Sequence, residues 1–201
     1  MAPYDRDSFL AGLAAGRAMW KPPVTRNYIL SYIDLQAIQS GRDTLSSYIE
    51  DNYEDPGVMD VSVTNNDGLC IESPYYGNRA YQFYKPISAK ASRVYVTLKG
   101  TSTFQQYHQF VVSINDEQGV PGYFADGFAG NTLRRVFTIA YNMTAEQMNN
   151  QANVTFQYPV TDPFTCVKQT IVIDVADIAV DMYIGFQNCD SIACVYEIWW
   201  E

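Results

Sequence analysis

Two stretches near the carboxyl end, VDMYIGFQ (residues 180–187) and CVYEIWW (residues 194–200), decide the fold class. In the first, apolar residues at every second position are Val180, Met182, Ile184 and Phe186. In the second, Cys194, Tyr196, Ile198 and Trp200 share one face, opposite Val195, Glu197 and Trp199. A period of two is typical of antiparallel strands with one buried and one wet face. The short NCDSIA loop between them predicts a hairpin.

The same alternation recurs in eight earlier segments, all after residue 57. They are MDVSV, LCI, AYQFY, RVYVTLK, HQFVVSI, RVFTIAY, NVTFQY and TIVIDV. Short strands at such spacing predict an all-β fold, an antiparallel β-sandwich or jelly roll. A parallel sheet would need crossover helices, whereas the one helical segment here is the short MTAEQMNN, starting after Asn142 or at Thr144. We therefore assign residues 58–201 to a β-sandwich domain.

Residues 24–57 are predicted to be a connector that packs partly on this domain. The connector contains an apolar run, NYILSYIDL, and a turn signal at Ser40-Gly41. The segment DTLSSYIEDNY then has helical spacing, with Asp43 as the capping residue.

Residues 1–23 hold an apolar run of another kind, FLAGLAAGRAMW at residues 9–20. An acidic start argues against a signal peptide, and the run is shorter than the roughly 20 residues of a membrane span. The pattern favours a short N-terminal helix, capped by Asp7 or Ser8 and ended by Pro22. A helix of this length is marginal alone in water, so it packs either on its own domain or on another subunit. The residues of the predicted assembly interface are Phe9, Leu10, Gly12, Leu13, Gly16, Arg17 and Trp20.

The string DRDSFLAGLAAGRAMW resembles the amino-terminal segment of structural proteins of phages and prophages of Gram-positive gut-type bacteria. The matching residues are Ser8, Phe9, Leu10, Ala11, Gly12, Ala14, Gly16 and Arg17. The resemblance covers only the opening of the chain and implies no catalytic residues. It implies a virion protein of the tail, baseplate or head surface, assembled in the bacterial cytoplasm. Its partners would be copies of itself, with a trimer favoured, and other virion proteins.

The charge distribution limits the classes of partner. A net charge of −9 argues against nucleic acid, which needs a basic surface, and against an anionic membrane. From residue 136 onward the sequence contains eight acidic residues and one basic residue, Lys168. We interpret this bias as a solvated acidic face, the alternative being a surface for a cation or a basic partner.

Sites for chemistry are sparse. His108, the single histidine, lies within a strand pattern away from any nucleophile motif. Phosphate-binding glycine loops are missing from the sequence. A calcium site near Asp116 and Glu117 or Asp126 is a minor alternative. We predict a non-enzymatic protein without cofactor or metal.

The rival hypothesis is a module that binds host-surface glycans, because sugars stack on exposed aromatic rings. The candidate rings are Tyr75, Tyr76, Tyr123, Phe124 and Trp199. For each ring the alternative is packing in the core or in an interface.

The four cysteines are Cys70, Cys166, Cys189 and Cys194. Their spacing does not fit zinc. We expect free thiols, with a Cys189–Cys194 bridge as the main alternative.

Overall fold

A computed structural model describes most of the chain after residue 24. The described ranges are 25–51, 60–64, 68–72, 78–100, 109–118, 133–140, 143–159, 168–189 and 192–201. Within them, two antiparallel sheets enclose one apolar core. The predicted antiparallel β-sandwich is confirmed. The predicted N-terminal helix lies outside the described residues.

Sheet A has seven strands. In spatial order six of them are β3 (Asp60–Thr64), β4 (Gly68–Glu72), β12 (Ile192–Trp200), β6 (Arg93–Gly100), β10 (Gln169–Asp174) and β9 (Val154–Phe156). The seventh, β1 (Asn27–Leu30), pairs with the far half of β12, beyond the part that pairs with β4. One edge of β12 is therefore shared between β4 and β1.

Sheet B has five strands. Their order is β2 (Ile49–Asp51), β5 (Asn78–Phe83), β11 (Tyr183–Cys189), β7 (Gln109–Asn115) and β8 (Leu133–Ala140). All ten segments with predicted alternation form strands. The additional strands β1 and β2 come from residues 24–57, so part of the predicted connector is hydrogen-bonded into both sheets.

The core lies between the sheets and is richest in rings on the side of sheet B. The ring of Phe186 lies 5.8–5.9 Å from those of Tyr81, Phe83 and Phe110, measured between centroids. Sheet A contributes mostly β-branched residues, among them Val94, Val96, Ile171, Ile173 and Ile198, all at most 1% exposed. These residues alternate along their strands, which is why a period of two identified the strands.

Two helices are fixed by capping boxes, in which the N-cap side chain and the third helical residue bind each other's backbone N–H. The helix α1 (Tyr32–Gln39) has Ser31 and Asp34 in these roles. The helix α2 (Ala145–Asn149) has Thr144 and Gln147, which confirms the predicted start at Thr144. The turn predicted at Ser40-Gly41 is also present, with Gly41 at a φ of 70°.

The predicted helix over DTLSSYIEDNY is wrong. Only Leu45–Ser47 form a 3₁₀ turn, with Thr44 rather than Asp43 as its cap residue. The following residues, Ile49–Asp51, pair with β5 instead. Pairing with a neighbouring strand prevails here over a weak local helical preference.

Tyr48 holds this turn in place through its hydroxyl group, which donates to Asp43 Oδ2 at 2.9 Å and to Asp34 Oδ1 at 3.3 Å. The pKa of Tyr48 is raised, mainly by burial and next by the hydrogen bond to Asp43. The pKa of Asp43 is lowered, first by the backbone N–H of Thr44 and then by the Tyr48 hydroxyl. The turn therefore depends on a neutral phenol and an ionised carboxylate.

The predicted hairpin over residues 180–200 is wrong, because β11 belongs to sheet B and β12 to sheet A. The predicted alternation in β12 is interrupted as well. The register between β12 and β6 shifts between Val195 and Glu197, so that Val195 and Ile198 both enter the core. A bulge inserts one extra residue into a strand and reverses the facing of those beyond it.

Cys194 is disulfide-bonded and 4% exposed. The prediction of free thiols is therefore wrong for this cysteine. In the pairing of β12 with β4, the residue directly opposite Cys194 is Cys70.

Candidate functional site

The candidate site lies on the outer face of sheet A, where the chain first enters the sandwich. Cross-strand pairing places Tyr28 of β1 opposite Trp199 of β12, and Trp199 opposite Tyr95 of β6. Residues directly opposite each other in a sheet project from the same face. Tyr95 alternates with the fully buried Val94 and Val96, so this aromatic row faces away from the core.

Trp199 is the centre of the row. The ring of Tyr95 stacks on it with 3.7 Å between centroids and 5° between planes. The guanidinium carbon of Arg26 lies over the indole, 4.5 Å from its centroid. Because Tyr95 already occupies one face of the indole, Arg26 covers the other. Trp199 is consequently only 8% exposed, and the cation–π contact ties the residue before β1 to β12.

The last residue of the chain secures the row from the other side. The hydroxyl of Tyr95 donates to Glu201 Oε1 at 2.5 Å. The carbonyl oxygen of Glu201 accepts from the N–H of Ser92 at 2.7 Å, and its own N–H donates to the carbonyl of Arg93 at 3.1 Å. Burial, and then the bond to Glu201, raises the pKa of Tyr95, so the phenol is held in its donating form.

We call these five residues, Arg26, Tyr28, Tyr95, Trp199 and Glu201, the Trp199 clamp. Arg26 also donates to the hydroxyl of Tyr28 at 3.4 Å, which raises the pKa of the guanidinium. The clamp fixes the start of β1, while Ile29 and Leu30 of β1 are 2% and 0% exposed on the core side. Its chemistry is that of attachment, because stacking, cation–π contact and hydrogen bonds hold a chain segment to a sheet.

Of the predicted site residues, only Trp199 lies within the described part of the chain. The predicted assembly residues Phe9, Leu10, Gly12, Leu13, Gly16, Arg17 and Trp20 lie outside it, as do Tyr75, Tyr76, Tyr123 and Phe124. Trp199 has both ring faces covered, so a sugar could stack on it only after displacing Arg26. Sequence analysis missed Arg26 and Tyr95, because strand register is needed to bring them to Trp199. The signal available was the alternation in RVYVTLK, which places Tyr95 opposite Val94 and Val96.

The outer face of sheet B carries a contrasting set of neutral polar residues. Gln82, Ser113, Asn115 and Gln187 are all less than 5% exposed. Gln82 donates to the carbonyl of Glu117 at 3.1 Å, and Asn115 donates to Ser113 Oγ at 3.1 Å. The chain that leaves β7 is thereby fastened over this face.

Asp116, one of the carboxylates of the predicted alternative calcium site, is paired with an arginine. Arg134 donates to Asp116 through Nε at 2.7 Å and also forms an ion pair with it. Asp126 and His108 lie outside the described ranges. Among the described residues, His, Cys, Asp and Glu form no group of three or more that could hold a metal ion. Within the same part of the chain, no helix has the length and apolarity needed to cross a membrane.

A comparison of the chain with models of protein families and with curated proteins finds no match to either.

Proposed function

We propose that this chain is a non-enzymatic structural protein of a phage or prophage virion. In this proposal, residues 1–23 join the chain to neighbouring subunits, and the β-sandwich is displayed outward. The support from sequence is the resemblance of DRDSFLAGLAAGRAMW to the opening of such proteins. The partners are copies of the chain, with a trimer favoured, and other virion proteins.

The observation that carries the proposal is the attachment of the segment to the sandwich. Thr25 and Arg26 join residues 1–24 to β1, which pairs antiparallel with β12 at Asn27, Tyr28 and Leu30. In such a ladder the hydrogen bonds run perpendicular to the strands. A pull directed along β1 would load these bonds together, in shear, along with the contact of Arg26 with Trp199. A segment that carries load between subunits needs this kind of anchorage.

Burial of large apolar side chains would drive the association. Phe9, Leu10, Leu13 and Trp20 recur at helical spacing, and each contributes about 1.5–3 kcal/mol when fully buried. Gly12 and Gly16 lack side chains and so let two helix backbones approach closely. Because glycine also weakens an isolated helix, the segment gains its order from the partner that packs on it.

The test is the solution mass of the full chain, measured by light scattering. The variant Gly12→Leu with Gly16→Leu should raise helix propensity but abolish the oligomer, since the added side chains prevent close approach. The matched control, Ala14→Leu with Ala18→Leu, introduces the same two side chains on roughly the opposite side of a helix and should remain oligomeric.

A chain that starts at Pro22 keeps β1 and should be monomeric. Retention of the oligomer by the double glycine variant would contradict close packing at these positions. A monomeric full chain would contradict self-assembly and would favour the alternative, a glycan-binding module. That alternative predicts saturable binding to a host-surface glycan, lost on changing Tyr75 or Tyr76.

A further inference from the structure

We propose that Cys194 is bridged to Cys70 and that this bridge is a redox-controlled latch, which holds the hairpin of β3 and β4 on sheet A. The proposal starts from two observations, the disulfide-bonded state of Cys194 and the register that places Cys70 directly opposite it. It concerns a conformational control that the assembly role does not require.

The backbone register suits a bridge between these two positions. Opposed residues of antiparallel strands have Cα atoms about 4.5–5.5 Å apart, within the range of about 4.4–6.8 Å that disulfides span. Cys189, by contrast, lies in sheet B, where it pairs with Asn78 and Gln109.

Within sheet A the β3–β4 hairpin is joined to the other strands through β4, while Leu69 of β4 is buried in the core and α1 packs against both strands. Of its two strands, β4 makes the contact with β12, through four opposed pairs from Ile192–Glu72 to Val195–Leu69. Beyond the bulge after Val195, the same edge of β12 is taken by β1. We expect a covalent link within this ladder to restrain local opening of the hairpin, in which β4 separates from β12.

The surroundings of Cys194 favour exchange once the bridge is reached by a thiol. On the other side of β12, the residue directly opposite Cys194 is Lys99 of β6. A neighbouring ammonium group stabilises a thiolate, which is the leaving group when the bridge is reduced and the attacking group when the bridge forms with oxidised glutathione. Cys194 is 4% exposed, so reagents reach it mainly when the hairpin opens. The rate of reduction thus reports the opening of the hairpin.

A small-molecule disulfide can serve as the oxidant that forms the bridge. Two protein thiols and one oxidised glutathione give the protein bridge and two reduced glutathione molecules. In the reducing cytoplasm the thiols would persist, and in an oxidising exterior the bridge would form. Resting on the proposed virion role, we infer that the latch is open during assembly and closes after the particle leaves the cell.

The first experiment is hydrogen–deuterium exchange with mass spectrometry on the full chain, oxidised and after treatment with dithiothreitol. Reduction should raise amide exchange in residues 60–72 and 192–195 at least about tenfold. Exchange in 109–115, at the centre of sheet B, should stay unchanged. Circular dichroism on the same samples shows whether the fold persists.

Variants assign the partner of Cys194. Cys70→Ser and Cys194→Ser should each reproduce the reduced pattern under oxidising conditions, while the matched control Cys189→Ser should behave as wild type. Peptide mapping without reduction should recover the Cys70–Cys194 pair. Recovery of Cys194 with Cys189 or Cys166 would overturn the assignment, and unchanged exchange in the hairpin after reduction would overturn the latch.

The role of Lys99 has its own readout. Lys99→Met removes the charge but keeps an unbranched side chain, and it should slow bridge formation with oxidised glutathione at pH 7 several-fold. The control Lys90→Met, at an exposed position, should leave this rate unchanged. Equal rates would remove the charge effect from the proposal. The assembly role is tested separately, because residues 1–23 contain no cysteine and the oligomer should keep its mass in dithiothreitol.

Discussion

The side chain of Gln151 takes both hydrogen-bonding positions of the Thr138 backbone. Its Oε1 accepts from the N–H of Thr138 at 2.8 Å, and its Nε2 donates to the carbonyl of Thr138 at 2.7 Å. Thr138 lies in β8, the outermost strand of sheet B. An open sheet edge is a template for unwanted pairing with another chain, and this amide occupies the edge as a neighbouring strand would.

Gln151→Ala should expose that edge. We expect a loss of about 1–3 kcal/mol in the free energy of unfolding, since two backbone groups lose their partners. Concentration-dependent association should also increase. Urea titration and light scattering measure the two effects. The control Gln157→Ala changes an exposed glutamine and should leave both unchanged; equal association of the two variants would contradict the interpretation.

Gly68 and Gly41 form a matched pair for substitution by alanine. Both have positive φ, 73° and 70°. A Cβ at Gly68 would lie 2.6 Å from the carbonyl oxygen of Val195, whereas at Gly41 nothing lies within 4 Å. Gly41→Ala should cost about 1–2 kcal/mol, from backbone strain alone. Gly68→Ala should cost clearly more, because β4 must also move away from β12. Thermal unfolding compares them, and similar losses would show that β4 adapts without cost.

Removal of Arg26 tests the Trp199 clamp. Because Arg26 is exposed, Arg26→Ala should lower the free energy of unfolding by about 0.5–1 kcal/mol through loss of the cation–π contact. It should also expose one face of the indole, so that acrylamide quenches tryptophan fluorescence more strongly. Arg42→Ala is the control, because Arg42 is exposed and its Nε donates only locally, to Ser40 at 2.9 Å. Quenching that does not change in Arg26→Ala would contradict the arrangement.

The hydrogen bonds of Tyr48 give a prediction for alkaline pH. Its pKa is raised on folding, so its contribution to stability is complete below the pKa of an unfolded tyrosine, about 10. The contribution is lost as the pH rises from there through the folded pKa. Tyr48→Phe should therefore lose less stability than wild type between pH 9 and pH 11.

Urea titrations across this range test the prediction, with the exposed Tyr158 changed to Phe as the control. A Tyr48→Phe variant that follows the wild-type pH dependence would contradict it. At acid pH the sign is opposite. The lowered pKa of Asp43 means that its contribution fades as the pH falls below about 4.

Strands with a long alternating pattern were predicted correctly from the sequence. Features that depend on strand pairing and register, such as the sheet that a strand joins, were not. RVYVTLK and TIVIDV place large apolar residues on one face, and the structure uses those faces for the core. The assignment of β11 and β12 to opposite sheets could not be predicted, because alternation carries no information on which sheet a strand joins. The bulge after Val195 could not be predicted either, because the residues on both sides of it have a strand-like pattern.

The candidate site was predicted only in part for the same reason. Trp199 was recognised as an aromatic residue on the face opposite Trp200, and the structure packs Trp200 against the core. Its neighbours Arg26 and Tyr95 come from distant parts of the chain and meet it only through the pairing of three strands. Local patterns of charge and aromaticity do not encode such pairings.

The pairing of Asn27 with Trp200 also makes the sandwich suitable for circular permutation. Opposed residues in antiparallel strands have Cα atoms about 4.5–5.5 Å apart, so Asn27 and Trp200, near the two ends of the described residues, are close neighbours. Neighbouring ends of this kind allow circular permutation and insertion into a loop of a host protein. A short linker from Glu201 to Thr25, which keeps Arg26, with new ends at the exposed Gly41 turn, should give a chain that folds to the same two sheets.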